Sequence, residues 1–281
     1  MTIEKTRVTH QISNDGGVLY MPEWCISGLV NSHIPTESEL SAESSQQQYP
    51  LGTQLRKNGC LYRYSKAGAA MASGHQGFLK GNYYQVPGKA GNSATSGFEG
   101  AIYANIAIGA TSFQIIDTDA AKNLYEDALA CIYDSTNACY RPVRIIGNDV
   151  SDGTSTTCYI ADPGFKYAQT TSFGITVYLS EYGNIRSLLS VGSTYTTAMG
   201  YALFPIQSGY YFWLQTAGRI TGVTGASTWP GQTAYVREVY ANTDGSLITG
   251  GADVLYQRVG HLLGRTASDY GDNCIMLQLD Q

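Results

Sequence analysis

Several short stretches of this chain alternate apolar with polar side chains. From Phe173 to Leu179, the apolar Phe173, Ile175, Val177 and Leu179 alternate with Gly174, Thr176 and Tyr178. That period matches a strand with one buried face. Short runs of the same kind are Thr53–Lys57, Cys60–Ser65, Ala101–Ile108, Ser112–Ile116, Val143–Ile146, Thr156–Ile160, Thr233–Tyr240 and Asn273–Leu279. Tyr210–Thr216 (YYFWLQT) is almost wholly apolar or aromatic, as a strand covered on both faces would be. Turn residues punctuate the runs. Asn58-Gly59 supplies two positive-φ positions between two strand candidates and predicts a tight hairpin. Asp152-Gly153 and Asp244-Gly245 mark further turns.

Helical patterning is weak. In Ala120–Ile132, Leu124, Ala128 and Ile132 fall at i, i+4 spacing, so the stretch is either a short helix or a loop leading into a strand. Asn184–Val191 is equally ambiguous. The pattern therefore predicts an all-β fold, a barrel or sandwich with long loops and few short helices.

Residues 1–48 read as an extended N-terminal arm or linker, because IPTESELSAESSQQQ is polar and low in complexity. VLYMPEWC within it is either a patch that docks on a partner or an edge strand of the body. Residues 49–281 read as the β-rich body, divisible into 49–200 and 201–281. Residues 66–100, rich in Gly, Ala and Ser, read as a long surface excursion.

Composition sharpens the functional classes. Only 14% of the 281 residues are charged, against roughly 25% in ordinary globular proteins. The surface must then be largely Ser, Thr, Asn, Gln, Gly and Tyr, which tolerates close contact with neighbours. The 22 Tyr against 7 Phe fit either interfaces or half-buried strands. Net charge is −5 and no basic run exists, which argues against a nucleic-acid partner. No window approaches the roughly 18 apolar residues of a membrane helix, and the first residues lack a hydrophobic signal core. Synthesis in the cytoplasm without membrane attachment is the expectation.

Chemistry is sparse. There is no GxSxG, HExxH or GxxxxGK motif, and no catalytic, cofactor or metal residue is expected. Asp117 and Asp119 form a DxD pair, but Lys122 and Ala128 stand where a calcium loop needs Gly and Glu. Cys25, Cys60, Cys131, Cys139, Cys158 and Cys274 contain no CxxC pair. They are either reduced thiols packed as small apolar groups or disulfide partners formed after release from the cell. Tyr20, Trp24, Trp229 and Tyr235 are candidate interface residues, Trp229 because STWPG favours an exposed ring. Trp213, inside an apolar strand, is expected in the core.

Three segments carry a family resemblance. YPLGTQLRKNGCLYRYSKAGAAMASG (Tyr49–Gly74), SGYYFWLQTAGRITGVTGASTWPGQTAYVREVYANTDGSLI (Ser208–Ile248) and VGHLLGRTASDYGDNCIMLQL (Val259–Leu279) resemble head-associated structural proteins of tailed bacteriophages, the capsid decoration or cement proteins. The resemblance covers about half of the chain. It implies a Gly-rich β-barrel that binds the major capsid protein, associates with itself as a trimer, sits on the capsid surface of a virion and is not an enzyme. The long first segment and the six Cys depart from the pattern. A tail, head-fibre or host-glycan-binding virion protein is the alternative, and a carbohydrate-active enzyme a weaker one.

Overall fold

A computed structural model describes residues 10–12, 17–20, 33–71, 79–81, 98–187, 197–221, 237–241, 247–248, 257–264 and 274–280. The chain forms two compact units. Unit 1 joins Met1–Gly81 to Ile185–Gln281, and unit 2 is Asn82–Asn184. Residues 49–81 and 201–281, on opposite sides of the expected division at 200/201, thus share one unit.

Unit 1 opens with β1 (His10–Ile12), β2 (Val18–Tyr20), a single helical turn α1 (Glu37–Leu40), β3 (Gln54–Lys57), β4 (Cys60–Lys66) and β5 (Leu79–Gly81). Unit 2 holds β6 (Phe98–Ala101), β7 (Ser112–Ile115), β8 (Leu129–Asp134), β9 (Cys139–Asn148), β10 (Thr156–Ile160) and β11 (Gly174–Tyr178). The return to unit 1 gives β12 (Ile185–Ser187), β13 (Thr197–Gly200), β14 (Tyr211–Thr221), β15 (Glu238–Ala241), β16 (Leu247–Ile248), β17 (Arg258–Gly264) and β18 (Cys274–Gln278). The all-β expectation holds, and every pairing between these strands is antiparallel.

In unit 1, a nine-stranded sheet runs β1-β2-β3-β4-β14-β18-β17-β15-β16, and a three-stranded sheet runs β12-β5-β13. The β3–β4 hairpin turns at Asn58 (φ 53°) and Gly59 (φ 74°), the two positive-φ positions that Asn-Gly predicts. Strand β14 is the centre of the sheet. It lies between β4 and β18, with Trp213 opposite Tyr64 and Ala217 opposite Gln278. Its side chains feed three clusters. Trp213 packs with Leu19, Leu40, Tyr49, Leu55, Tyr62 and Tyr64. Phe212 and Leu214 pack with Ala67, Met71, Ile185, Ala202 and Ile206. Ile220 packs with Val239, Val259, Leu262, Ile275 and Leu277.

A bulge interrupts the β14–β4 ladder between Gln215 and Ala217. Gln215 is buried there, and its side-chain amide donates to the carbonyls of Ala217 (3.2 Å) and Arg219 (3.0 Å), which removes the cost of burying it. Gly218 follows at φ 99°, and a Cβ there would stand 2.7 Å from the Cys60 sulfur.

The described part of residues 1–48 belongs to this body. Strand β2 pairs with β3, Leu19 and Leu40 are core residues, and Ser44 and Tyr211 exchange backbone hydrogen bonds of 2.9 and 2.8 Å. VLYMPEWC thus begins as a strand, β2, with a neighbour on each side. Thr36 starts α1 through a capping box: its hydroxyl accepts from the Glu39 N–H, and its own N–H donates to the Glu39 carboxylate at 2.7 Å.

Unit 2 is a six-stranded sheet in the order β6-β11-β8-β9-β10-β7. Beyond β6, Ile102 bridges Ile115 of β7, with the Tyr103 N–H donating to the Gln114 carbonyl and the Ile116 N–H to the Ala101 carbonyl. The two ends of the sheet therefore approach each other, and the sheet curls into a half-barrel filled by side chains. Inward positions alternate along each strand: Phe98 and Ile102, Phe113 and Ile115, Ala130 and Ile132, Ile145, Cys158 and Ile160, Ile175 and Val177. Ala120–Ile132 resolves as turns leading into β8, not a helix, and Asn184–Val191 contributes β12. Strand β9 is longer than its apolar core suggests and runs through Pro142, beyond the reach of β10, where a strand tolerates proline. The excursion expected over 66–100 contains β5 and the start of β6; most of the rest lies outside the described residues.

Trp213, the largest fully buried side chain among the described residues of unit 1, generates a direct prediction. Trp213→Ala should lower unfolding free energy by about 3–5 kcal/mol, read as an unchanged urea m-value with a reduced midpoint. A change under about 1 kcal/mol would place the ring outside the core.

Candidate functional site

The acidic residues that suggested a metal are occupied by the fold. Asp117 is buried at one end of the barrel, where Tyr125 donates its hydroxyl to the carboxylate and the Asp119 N–H donates at 3.2 Å. The Ser151 and Thr156 hydroxyls donate to the Asp117 carbonyl at 2.8 and 2.9 Å. Burial pushes the Asp117 carboxyl above its ordinary value, against the hydrogen bond from Tyr125. Burial and the Asp117 carboxylate together raise the Tyr125 hydroxyl well out of the physiological range. Asp152 accepts from the N–H groups of Thr154 (2.8 Å) and Ser155 (2.7 Å), which is turn chemistry. Among the described residues no three His, Cys, Asp or Glu side chains gather as metal ligands.

Cys60, Cys131, Cys139, Cys158 and Cys274 are all free thiols, and Cys25 lies outside the described residues. Cys158 fills the barrel core, where burial, aided by Asp117 and Asp149, pushes its thiol up to about 12. It is a packing group and not a nucleophile at neutral pH.

Two surfaces remain. The first is the outer face of the unit 2 barrel. In register across four strands, Ala101, Gly174, Tyr133 and Tyr140 form one row, and Glu99, Thr176, Cys131 and Pro142 the next. Tyr133 and Tyr140 are cross-strand neighbours with ring centroids 5.2 Å apart, and Tyr140 is 72% exposed. Leu129 and Tyr178 continue the face in the adjoining row. The β8–β9 hairpin behind Tyr133 and Tyr140 is clamped by Asp134. Its carboxylate accepts from the backbone N–H groups of Thr136 and Asn137, from the Asn137 side chain at 2.8 Å and from Arg141. Arg141 in turn lies 4.5 Å from the ring centroid of the exposed Tyr167.

The second surface is a cleft of about 210 Å³ in unit 1, lined by Glu39, Ala42, Glu43, Ser44, Gln48, Tyr49, Tyr64, Tyr211 and Trp213. Its floor is aromatic: Tyr49, Tyr64 and Trp213 pack mutually with centroids 5.1–5.2 Å apart, and Tyr64 stacks on Tyr211 at 6.0 Å. Burial raises the hydroxyls of Tyr49 and Tyr64, so both are protonated donors or acceptors at any physiological pH. The Tyr49 hydroxyl donates to the His33 carbonyl (2.9 Å), and the Tyr64 hydroxyl accepts from the Gln48 N–H (2.9 Å).

Of the interface candidates from sequence, Tyr20 is exposed on β2. Trp24, Trp229 and Tyr235 lie outside the described residues. Sequence reasoning missed Tyr133 and Tyr140, because it left 120–132 open between a short helix and a loop leading into a strand and placed no strand at 133–142; Thr136-Asn137 after Asp134 was the available turn signal. It also missed the cleft, since Glu39 and Glu43 meet Tyr211 only through long-range packing. No family model, no curated protein and no solved structure matches this chain.

The Asp134 clamp predicts a pH dependence. The Asn137 side chain, the hairpin N–H groups and Arg141 hold its carboxyl below the usual range. A group depressed in the fold contributes stability that is fully present above its unfolded value, about 3.9, and is lost as pH falls through the folded value. Asp117, raised in the fold, acts in the opposite sense. Asp134→Asn should therefore be less stable than the parent at neutral pH and converge with it as pH falls below the ordinary carboxylate range, as followed by thermal melts. A constant gap across that range would show the clamp is not electrostatic.

Proposed function

We propose that this chain is a structural virion protein that binds the outer surface of a phage capsid and stabilises it as a decoration or cement protein, associating with itself as a trimer. The observation that carries the reading is the tyrosine face of unit 2. Tyr133, Tyr140, Leu129, Pro142 and Tyr178 lie on the outside of a curled sheet, on strands whose inward positions are already filled. Tyr supplies contact area and a polar tip at low entropic cost, and it is enriched where protein surfaces meet. A small barrel has no need of such side chains outside for its own stability. A surface with few charges loses little hydration when covered.

A second observation supports the same reading. The three segments that resemble head-associated proteins converge in one sheet, as the adjacent strands β3, β4, β14, β18 and β17. On a capsid, each such subunit would bury a contact of the order of 1,600 Å². Repetition over a closed shell makes the sum large even when each contact is weak. The major capsid protein and sister copies are the partners this reading requires.

Two measurements test it. Quantitative analysis of purified particles should find hundreds of copies per particle; a few dozen or fewer would favour a tail or fibre component. The double variant Tyr133→Ser/Tyr140→Ser should fold normally and lose more than about tenfold in affinity for stripped capsids, as truncation of interface anchors does. Unchanged occupancy would remove the tyrosine face from the interface.

A further inference from the structure

The unit 1 cleft holds polar groups that the capsid reading leaves unused. Among the described residues the indole N–H of Trp213 meets no hydrogen-bond acceptor, although the side chain is only 2% exposed. It is not one of the polar atoms sealed from solvent, so its edge reaches the cleft that the residue lines. A donor that opens onto a cleft is free to bond whatever enters it. The Tyr211 hydroxyl, on the same cleft, likewise has no partner among the described residues.

Opposite these groups stand acceptors held in place. The Glu43 carboxylate accepts from the Gln207 N–H (2.6 Å) and side-chain amide (2.8 Å). Glu39 accepts from Thr36 (2.7 and 2.9 Å) and pairs with His33 (2.8 Å). Each carboxylate has lone pairs beyond those bonds. The occupant must therefore donate to carboxylates and also accept from an indole N–H and a phenol. A cation has no acceptor, and Lys66 already lies 5.3 Å from the Tyr211 ring centroid. An anion would face Glu39 and Glu43. A peptide strand cannot pair with Ser44 or Tyr211, whose backbone groups bond each other.

Hydroxyl groups satisfy both demands, and an apolar ring face suits the aromatic floor. The volume of about 210 Å³ is below the range of about 300–1,000 Å³ that takes drug-sized ligands, and it has room for one sugar ring. We infer that this cleft binds a single neutral hexopyranose unit, with Trp213 and Tyr211 donating to its oxygens and Glu39 and Glu43 accepting from its hydroxyls. The inference does not rest on the capsid reading. It concerns unit 1, and the isolated full chain is sufficient to test it.

The test is a titration of the 15N-labelled full chain with glucose, galactose, mannose and N-acetylglucosamine, following the indole N–H signals. Trp213→Phe assigns the Trp213 signal by its disappearance. At least one sugar should shift that signal saturably, with a dissociation constant near 1 mM, about −4 kcal/mol. Glu43→Gln should weaken the binding at least about fivefold, the worth of one hydrogen bond, in a variant that remains folded. Tyr211→Phe, which keeps the ring, should do the same and serves if Glu43→Gln does not fold. No saturable shift with any of the four sugars up to about 50 mM, well above that constant, would overturn the inference. So would undiminished affinity in the variants, or a shift produced by the tripeptide Gly-Arg-Gly and by none of the sugars.

Discussion

Strand β14 has a neighbour at each edge and is buried on both faces from Phe212 to Thr216, and unit 1 is organised around that constraint. A strand so placed has no polar side to turn outward, which is why Phe212, Trp213 and Leu214 are consecutive and all buried. Each face then needs its own cover. Residues from the first fifty positions, Leu19, Leu40 and Tyr49, cover Trp213, while Ala67, Met71 and Ile206 cover Phe212 and Leu214. The bulge at Gln215–Ala217 lets the strand continue towards a third cluster around Ile220. The buried amide of Gln215 satisfies the carbonyls that the irregularity frees.

Unit 2 solves the edge problem differently. Its sheet curls until the Ile102–Ile115 bridge ties its two ends, which covers part of each edge strand. Contact with other molecules can then come from side chains on the outside. That is where Tyr133, Tyr140 and Tyr167 stand, each fixed by a neighbour: a ring against a ring, and a guanidinium against a ring. Rings held this way lose little further freedom on binding. The Tyr–Asp pairing inside the barrel, Tyr125 with Asp117, shows the same residue types put to a purely internal use.

The β character, the Asn58-Gly59 hairpin and the double burial of Tyr210–Thr216 were legible from period and turn chemistry, which act locally. The division into units was not. It depends on Gly81 finding Ile185, about a hundred residues away, and nothing in either residue's neighbours announces the meeting. The polar run over residues 34–48 reads as loop or linker for the same reason. IPTESELSAESSQQQ is hydrophilic on average, but single residues in it, Leu40 and the Ser44 backbone, hold it to β14. The tyrosine face and the cleft follow the same rule. Their members come from separate strands, and only register brings them together.

Gly81 and Ile185 are direct neighbours on β5 and β12. The polypeptide thus departs for unit 2 and comes back at one point of unit 1, like a loop tied off at its base. Such a junction asks of the intervening hundred residues only that their ends be close. Over evolutionary time the excursion could be lengthened, trimmed or exchanged for another module, and the layers around β14 would not need to be rebuilt.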